Sequence, residues 1–450
     1  MRGGILVTPA GVSLSDVGVV DGLIAAVEPD LEGSARETVD AAGLHVFPGV
    51  VDTHVHCNDP GRSDSEGFAH GTSALAAGGT TTFVDMPLNA SPPTLDGASF
   101  DLKVAAATGV AFVDFALWGG LVPGTPDRLD ELAERGVVGF KAFMCETGMD
   151  DFPAADDGTL QEGMARAAHL GLPVAVHAES AELTTRLAAE AVSEGRTSMR
   201  DYLASRPVEA ELEAIGRAIG IAEETGCSLH IVHVSTGGGA RLVEAARARG
   251  VDVTCETCPH YLALDEEDAV RLGMVAKCSP PLRPRQDLDE LWGAVLDGVI
   301  DLVASDHSPS RPELKLGDDA FAAWGGIAGC QTLLRVLLTE GPPRGLSLEA
   351  IARLSAGAPA RRFGLAGKGS LEVGADADLA LVDLDARAEL TAGELRSRHR
   401  LNPLIERQMR GRVARTIVRG STVCLGGDMV ASPGGRFVRP GPGRTTEARS

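Results

Sequence analysis

The sequence lacks any excess of positive charge. Its 450 residues contain 41 lysines and arginines against 63 acidic residues, which gives a formal net charge of −22. Nucleic acids and anionic membrane surfaces bind proteins that present a basic patch, so neither is expected as a partner. No stretch approaches the roughly 18 consecutive apolar residues of a transmembrane helix, so no membrane span is expected either.

Aromatic residues and cysteines are also scarce. Aromatics make up 4% of the chain, so alanine, valine, leucine and the 55 glycines must supply most of the packing. The eight cysteines and an N-terminus without signal-peptide features indicate a reducing cytoplasm. Cys255 and Cys258 form a CxxC pair, but the second ligand pair that a zinc site requires does not follow. We interpret them as two cysteines near the end of a strand.

What the sequence does contain is an alternation of short β-rich runs with alanine-rich helical stretches. Eight such runs occur, from "VFPGVVDTHVH" to "IDLVASDHSP". Strands that alternate with helices form parallel βαβ units, and eight units predict a (β/α)8 TIM barrel, here over residues 48–361. A doubly wound open sheet is the alternative, but the first strand is followed by "THVHCNDPGR" rather than by a glycine-rich phosphate loop.

The two ends of the chain differ from this central region. Residues 1–47 and 362–432 both contain short β-like pieces separated by turns, and neither segment alone suffices for a core. We expect them to pair as one small β-sandwich domain in an α/β protein. Residues 433–450 are rich in glycine, proline and arginine and predict a C-terminal arm or a disordered tail.

A lysine interrupts the predicted fourth strand. Lys141 lies in "VVGFKAFM", a run that otherwise reads as a buried strand. Burying an unpaired ammonium costs several kcal/mol, so something must neutralise it.

Metal-capable side chains end four other predicted strands, at the face where barrel enzymes carry their catalytic groups. They are His54 and His56 on the first strand, His177 on the fifth, His233 on the sixth and Asp306 on the eighth. His54 and His56 are two positions apart and so share one face of their strand. By the same parity, His230 is expected to face away from His233, and His307 away from Asp306.

These ligands suit borderline divalent cations such as zinc, and their number indicates two ions rather than one. Two ions bring four positive charges, of which Asp306 offsets one. A lysine amine held neutral by burial reacts with CO2 to give a carbamate. Carboxylation of Lys141 would therefore supply an anionic ligand able to bridge both ions.

The motifs "VDTHVH", "GFKAFM", "VHAE", "HIVHVS" and "ASDHSP" resemble the cyclic-amide branch of the amidohydrolase superfamily, and the similarity extends to about residue 425. That branch comprises dihydroorotases, hydantoinases (dihydropyrimidinases) and allantoinases. The resemblance implies that His54, His56, Lys141, His177, His233 and Asp306 bind two metal ions, with Lys141 as N6-carboxylysine. It also implies that a hydroxide bridging the ions attacks the substrate and that Asp306 transfers the proton.

Within the branch, "DMPLN", "LASRPVEAELEAI" and "AFAAWGGIAGCQTLL" are similar to allantoinases. This resemblance implies hydrolysis of the hydantoin ring of allantoin to allantoate, with weak assignments of Asn89, Ser279, Trp324, Gly325 and Gly326 to substrate binding. Hydantoinases usually have a tyrosine five residues after the lysine, where this chain has Glu146. They also have an asparagine where this chain has Trp324.

Two alternatives stay open. A hydantoinase or dihydropyrimidinase would share the metal site and differ only in substrate, and a non-catalytic scaffold relative would lose ligand residues that this chain retains. The metal is not determined by the sequence: zinc is the first choice, and manganese, cobalt, nickel and iron fit the same ligands. Family resemblance favours a homotetramer or a homodimer.

Overall fold

The computed structural model describes residues 1–9 and 11–441. The N-terminal segment contributes four strands, β1 (Gly4–Thr8), β2 (Gly11–Val20), β3 (Leu23–Glu28) and β4 (His45–Pro48). The central region contributes β5 (Val50–Val55), β6 (Thr80–Asp85), β7 (Asp114–Leu117), β8 (Gly119–Gly120), β9 (Phe140–Phe143), β10 (Val174–His177), β11 (Leu229–Ile231), β12 (Val253–Thr257) and β13 (Leu302–Val303). The C-terminal segment contributes β14 (Leu379–Glu389), β15 (Gln408–Val418), β16 (Ser421–Leu425) and β17 (Asp428–Met429).

Fourteen α-helices accompany these strands in the described residues. They are α1 (Phe68–Ala77), α2 (Gly97–Ala107), α3 (Leu129–Arg135), α4 (Asp157–Leu170), α5 (Ala181–Ser193), α6 (Met199–Ala204), α7 (Val208–Thr225), α8 (Gly237–Ala248), α9 (Pro259–Ala263), α10 (Glu266–Leu272), α11 (Arg285–Leu296), α12 (Leu333–Glu340), α13 (Leu348–Ala352) and α14 (Ala358–Arg362).

The central strands form the predicted barrel. Neighbouring strands from β5 to β13 pair in parallel, with β7 and β8 acting as one strand interrupted at Trp118. A parallel bridge between Val55 and His307 joins the first strand to the last and closes the barrel. The eight β-rich runs of the sequence therefore correspond to the eight barrel strands.

Local sequence sets the ends of the intervening helices. Helix α4 begins after Asp156, whose carboxylate accepts the backbone N–H of Thr159 at 2.8 Å. It ends at Leu170, and the capping residue Gly171 has a φ of 68°, a backbone conformation that favours glycine. Strands β5 and β6 are buried along their whole length, because helices cover their outer side and the barrel core fills the inner side.

Strands from both ends of the chain form a separate β-rich domain, as predicted. Their hydrogen-bonded order is β17-β16-β15-β14-β4-β1-β2-β3, so the two ends meet where β14 pairs antiparallel with β4. Apolar residues of both ends, including Leu6, Ile24, Val46, Leu379 and Ile417, share one buried cluster. Each end alone would leave this surface exposed to water.

The beginning of the predicted arm packs against the barrel. Phe115 of β7 donates its N–H to the carbonyl of Arg436 at 2.9 Å, and Val438 donates to the carbonyl of Phe115 at 2.7 Å. Residues 442–450 of the predicted tail lie outside the described residues. Among the helices that the structure describes, none has the length and apolar character needed to cross a bilayer.

Candidate metal centre

Three of the predicted ligands converge on one point at the carboxyl end of the barrel. Oδ1 of Asp306 lies 3.3 Å from Nε2 of His54 and 3.5 Å from Nε2 of His56. Two ligands of a tetrahedral ion with bonds of about 2.0–2.1 Å are themselves about 3.3 Å apart, so this spacing fits one divalent cation. All three side chains are buried.

The electrostatics of this group also fit a cation. Burial by itself raises the pKa of the Asp306 carboxyl, but His54 and His56 outweigh burial and hold the pKa well below its usual value. Burial lowers the pKa of His56, so its imidazole is held in the neutral form that binds metals. Nδ1 of His56 is buried and has no hydrogen-bond partner in the part of the chain that is described.

His233 and His177 lie directly beside the first three ligands. The ring centroid of His233 is 5.3 Å from that of His54 and 4.5 Å from that of His177. Nδ1 of His233 is buried without a hydrogen-bond partner among residues 1–9 and 11–441. The side chains nearest to His177 that could share a metal with it are Cys145 and Glu179 rather than His56 and Asp306.

The prediction that His230 faces away from His233, made from the alternation of side chains along a strand, is wrong. Strand β11 ends at Ile231, and His233 has a φ of 39°, so the alternation of a strand does not extend to it. His230 therefore points toward the barrel interior as well, where its Nε2 lies 3.2 Å from Oε2 of Glu256. His307 does face away from Asp306, with Nε2 lying 3.5 Å from Oε1 of Glu66.

Lys141 is the anomalous group at the centre of the site. Its side chain is fully buried, and Nζ has no hydrogen-bond partner in the described residues. Burial lowers the pKa of Lys141 to about 7, although the carboxylates of Glu256 and Asp306 act in the opposite direction. At this pKa about half of the amine is unprotonated near neutral pH, and the unprotonated form is nucleophilic.

Two glutamates of the site were missed by the sequence interpretation. Glu256 accepts a hydrogen bond from Nδ1 of His54 at 2.5 Å, and Glu179 accepts one from Nε2 of His177 at 2.7 Å. A usable signal was present for Glu256: it occurs within "DVTCETC", a run that predicts a buried strand, and a carboxylate there needs a partner as much as Lys141 does. For Glu179, the signal was its spacing of two residues from His177.

The residues assigned to substrate binding lie in the segments that follow β6, β12 and β13. Nδ2 of Asn89 donates to Oγ of Ser308 at 3.5 Å, and Gly326 donates its N–H to the carbonyl of Lys277 at 2.8 Å. A Cβ at Gly326 would approach the carbonyl oxygen of Ser308 to 2.3 Å, and its φ is 139°, so only glycine fits.

The loop that carries Gly326 also brings Trp324 and Gly325 to the site. A Cβ at Gly325 would lie 3.7 Å from Oγ of Ser279, and Trp324 packs against the same apolar cluster as Phe143. The structure thus brings these residues to the rim of the barrel, while their contact with a substrate stays a prediction.

Two other groups of potential ligands differ from this centre. Cys255 and Cys258 are free and buried, and neither belongs to a group of three potential ligands in the described residues. Asp114, Asp376 and Asp378 form such a group, but the ammonium of Lys368 already occupies it.

The imidazoles and the carboxylate of Asp306 can together bind a divalent metal ion, and Lys141 beside them has no hydrogen-bond partner in the described residues. The chain belongs to the amidohydrolase family, whose model matches residues 45–423. Within the family it belongs to the cyclic-amide branch.

The relatives define this branch more closely. The chain is 63% identical to the allantoinase of Rubrobacter xylanophilus over 98% of its own length and 97% of the relative. It is 42% identical to the allantoinase of Escherichia coli, over 97% and 98% of the two chains. Among solved structures, it is similar to the L-hydantoinase (dihydropyrimidinase) of Arthrobacter aurescens, with a TM-score of 0.95, 37% identity and coverage of 97% and 98%.

Proposed function

We propose that the chain is an allantoinase, which hydrolyses the hydantoin ring of allantoin to give allantoate. The observation that supports this substrate most directly is the identity of 42–63%, over at least 97% of the chain, with the two allantoinases above. The reaction breaks one ring amide C–N bond and adds one water molecule. It requires an activated water, a polarised carbonyl and a group that carries a proton to the departing nitrogen.

Two divalent ions, with zinc as the first choice and manganese, cobalt, nickel or iron as alternatives, would be held by the six predicted ligands. These are His54, His56, Lys141, His177, His233 and Asp306. When bound, such ions supply Lewis-acid activation of the carbonyl and of the attacking water. Lys141 would bind them as a carbamate formed with CO2, since its buried amine has no other partner in the described chain.

Asp306 is proposed as the catalytic residue that moves the proton. Its low pKa keeps it ionised near neutral pH, and it lies beside His54 and His56, where the attacking water would be activated. The carboxylate accepts the proton of the attacking water and delivers it to the leaving ring nitrogen. Asn89, Ser279, Trp324, Gly325 and Gly326 are proposed to orient the ring from the rim of the barrel.

A hydantoinase is the second candidate, because the L-hydantoinase structure has nearly the same fold. Two features favour allantoin over it. Glu146 is exposed at the position where hydantoinases usually carry a tyrosine. Trp324 stands where hydantoinases usually carry an asparagine.

The test is a panel assay of allantoin, hydantoin, dihydrouracil and dihydroorotate with the metal-loaded protein. We expect kcat/KM for allantoin to exceed that for each of the others by at least about tenfold. Faster opening of hydantoin or dihydrouracil would overturn the substrate while leaving the metal centre in place. Metal analysis of the same preparation excludes a non-catalytic scaffold if bound ions are found.

Three further properties complete the proposal. The domains are residues 1–47 with 362–432 for the β-rich domain, 48–361 for the barrel and 433–450 for the arm. A cytoplasmic location is supported by the eight cysteines, all of which are free. A homotetramer or homodimer is proposed from family resemblance and is tested by light scattering.

A further inference from the structure

Two buried glutamates outside the six ligands each bind the ring of one ligand histidine. Glu256 and Glu179 are 1% and 0% exposed. An ionised carboxylate only accepts hydrogen bonds, so the ring nitrogen that faces it must carry the proton. The other ring nitrogen of a neutral imidazole then carries the lone pair that binds a metal ion.

Glu256 fixes His54 through a chain of three side chains. Its Oε1 accepts from Nδ1 of His54 at 2.5 Å, and its Oε2 accepts from Nε2 of His230 at 3.2 Å. Nδ1 of His230 lies 2.8 Å from Oγ1 of Thr254, which holds the second imidazole in place. Both carboxylate oxygens are thus occupied, and His54 presents Nε2 toward Asp306.

Glu179 fixes His177 in the opposite sense. Its Oε2 accepts from Nε2 of His177 at 2.7 Å and from Nη1 of Arg206 at 2.5 Å. The guanidinium of Arg206 thus pairs with this carboxylate and offsets its charge. His177 therefore presents Nδ1, while His54 presents Nε2.

We propose that Glu256 and Glu179 are positioning residues that each control one of the two metal positions. Glu256 selects Nε2 of His54 for the position shared with His56 and Asp306. Glu179 selects Nδ1 of His177 for the position shared with His233. This inference rests on the proposed two-metal centre and adds to it which residues hold each ring in its binding form.

Replacement by glutamine tests this role because it preserves shape but changes the pattern of donors and acceptors. A glutamine at position 256 has one acceptor oxygen for two ring N–H groups. One of the two rings, His54 or His230, must therefore lose its hydrogen bond or shift its proton to the other ring nitrogen. At position 179 one oxygen accepts both hydrogen bonds and the other has no partner in the described residues, so glutamine removes mainly charge. Glu256→Gln should therefore have the larger effect.

Glu211 offers a matched control. It is 2% exposed and accepts from Nη2 of Arg283 at 2.9 Å and from the N–H of Ser235 at 2.8 Å. It is a buried, arginine-paired glutamate like Glu179, but its hydrogen bonds reach no proposed ligand. Glu211→Gln therefore reports the general cost of removing a buried carboxylate.

The experiment measures zinc stoichiometry and affinity by chelator competition for the full-length wild type and for Glu256→Gln, Glu179→Gln and Glu211→Gln. We expect Glu256→Gln and Glu179→Gln each to lower the affinity for one of the two zinc ions by about 10- to 100-fold. The affinity for the other ion should stay at the wild-type value. Glu211→Gln should retain both with wild-type affinity. The thermal midpoints of the metal-free forms show whether folding alone explains a loss.

Two results separate the inference from the proposed function. If the wild type binds two zinc ions and both Glu256→Gln and Glu179→Gln bind them with the same affinity, only the positioning role is overturned. The same holds if Glu211→Gln weakens zinc as much as they do. A wild type that takes up no zinc, cobalt or manganese overturns the metal centre itself.

Discussion

Two buried lysines at opposite ends of the barrel differ in whether carboxylates pair with their amino group. At the carboxyl end, Nζ of Lys141 has no hydrogen-bond partner in the described chain, and burial lowers its pKa to about 7. At the amino end, Nζ of Lys368 lies 2.6 Å from Asp114, 2.8 Å from Asp376 and 2.9 Å from Asp378. Burial by itself lowers the pKa of Lys368, but these carboxylates outweigh burial and raise it.

The difference separates a structural lysine from a chemical one. Lys368 joins the first residue of β7 to the segment that leads into β14, so its ion pairs connect the barrel to the β-rich domain. Lys141 has no such ion pair in the described residues, and a buried ammonium without a partner destabilises the fold. A buried lysine is therefore informative only once its partners are known.

The comparison predicts its largest effect at Lys141. Lys141→Ala should lose most of the bound metal and reduce turnover to background, because the bridging anion disappears. Acetate or propionate should partly restore both by filling the vacated space, whereas Lys141→Arg should stay inactive because a guanidinium does not take up CO2. Metal analysis and an allantoin assay measure the result. Full activity with two ions and an unmodified lysine amine, shown by mass spectrometry, would contradict this role.

Asp306 should show almost as large an effect. Asparagine has the shape of aspartate but accepts no proton, so Asp306→Asn should abolish turnover of allantoin. Metal content must be measured in parallel, because Asp306 is also a proposed ligand. If activity stays within about tenfold of wild type, Asp306 is not the proton carrier.

Lys368 should affect stability and leave the chemistry intact. Lys368→Met leaves Asp376 and Asp378 without their cation and leaves Asp114 with Arg419 alone, which costs about 3–5 kcal/mol of unfolding free energy. Chemical denaturation measures this loss, and the refolded variant should retain its metal and its kcat. If Lys368→Met loses metal while its free energy of unfolding equals that of the wild type, the contrast between the two lysines does not hold.

The smallest effect concerns pH. Because the pKa of Lys368 is higher in the folded than in the unfolded chain, its stabilisation is complete below the unfolded value of about 10.4 and is lost as the pH rises through the folded value. The difference in thermal midpoint between wild type and Lys368→Met should thus be constant from about pH 6 to 9 and narrow above about pH 10.4. If the difference in thermal midpoint widens above about pH 10.4, the pKa of Lys368 is not raised by folding.

The sequence alone predicted the barrel and the metal-capable side chains that meet at its carboxyl end. Parallel strands must run in one direction, so residues at the ends of successive strand-like runs meet at one face, and His54, His56 and Asp306 were found without knowledge of a single distance. The pairing of the chain ends was also predictable, because neither β-like segment could bury its apolar side alone.

Only the tertiary structure decided which side chains surround these ligands. Glu256 and Glu179 contact His54 and His177 through distances that depend on the closure of the barrel and on the turn after each strand. Parity failed at His233 for the same reason, since the backbone leaves the strand before reaching it. Lys141 and Lys368 are the same residue type in the sequence. Among the described residues, Lys368 has three carboxylates within hydrogen-bonding distance and Lys141 has none, and this difference exists only after folding.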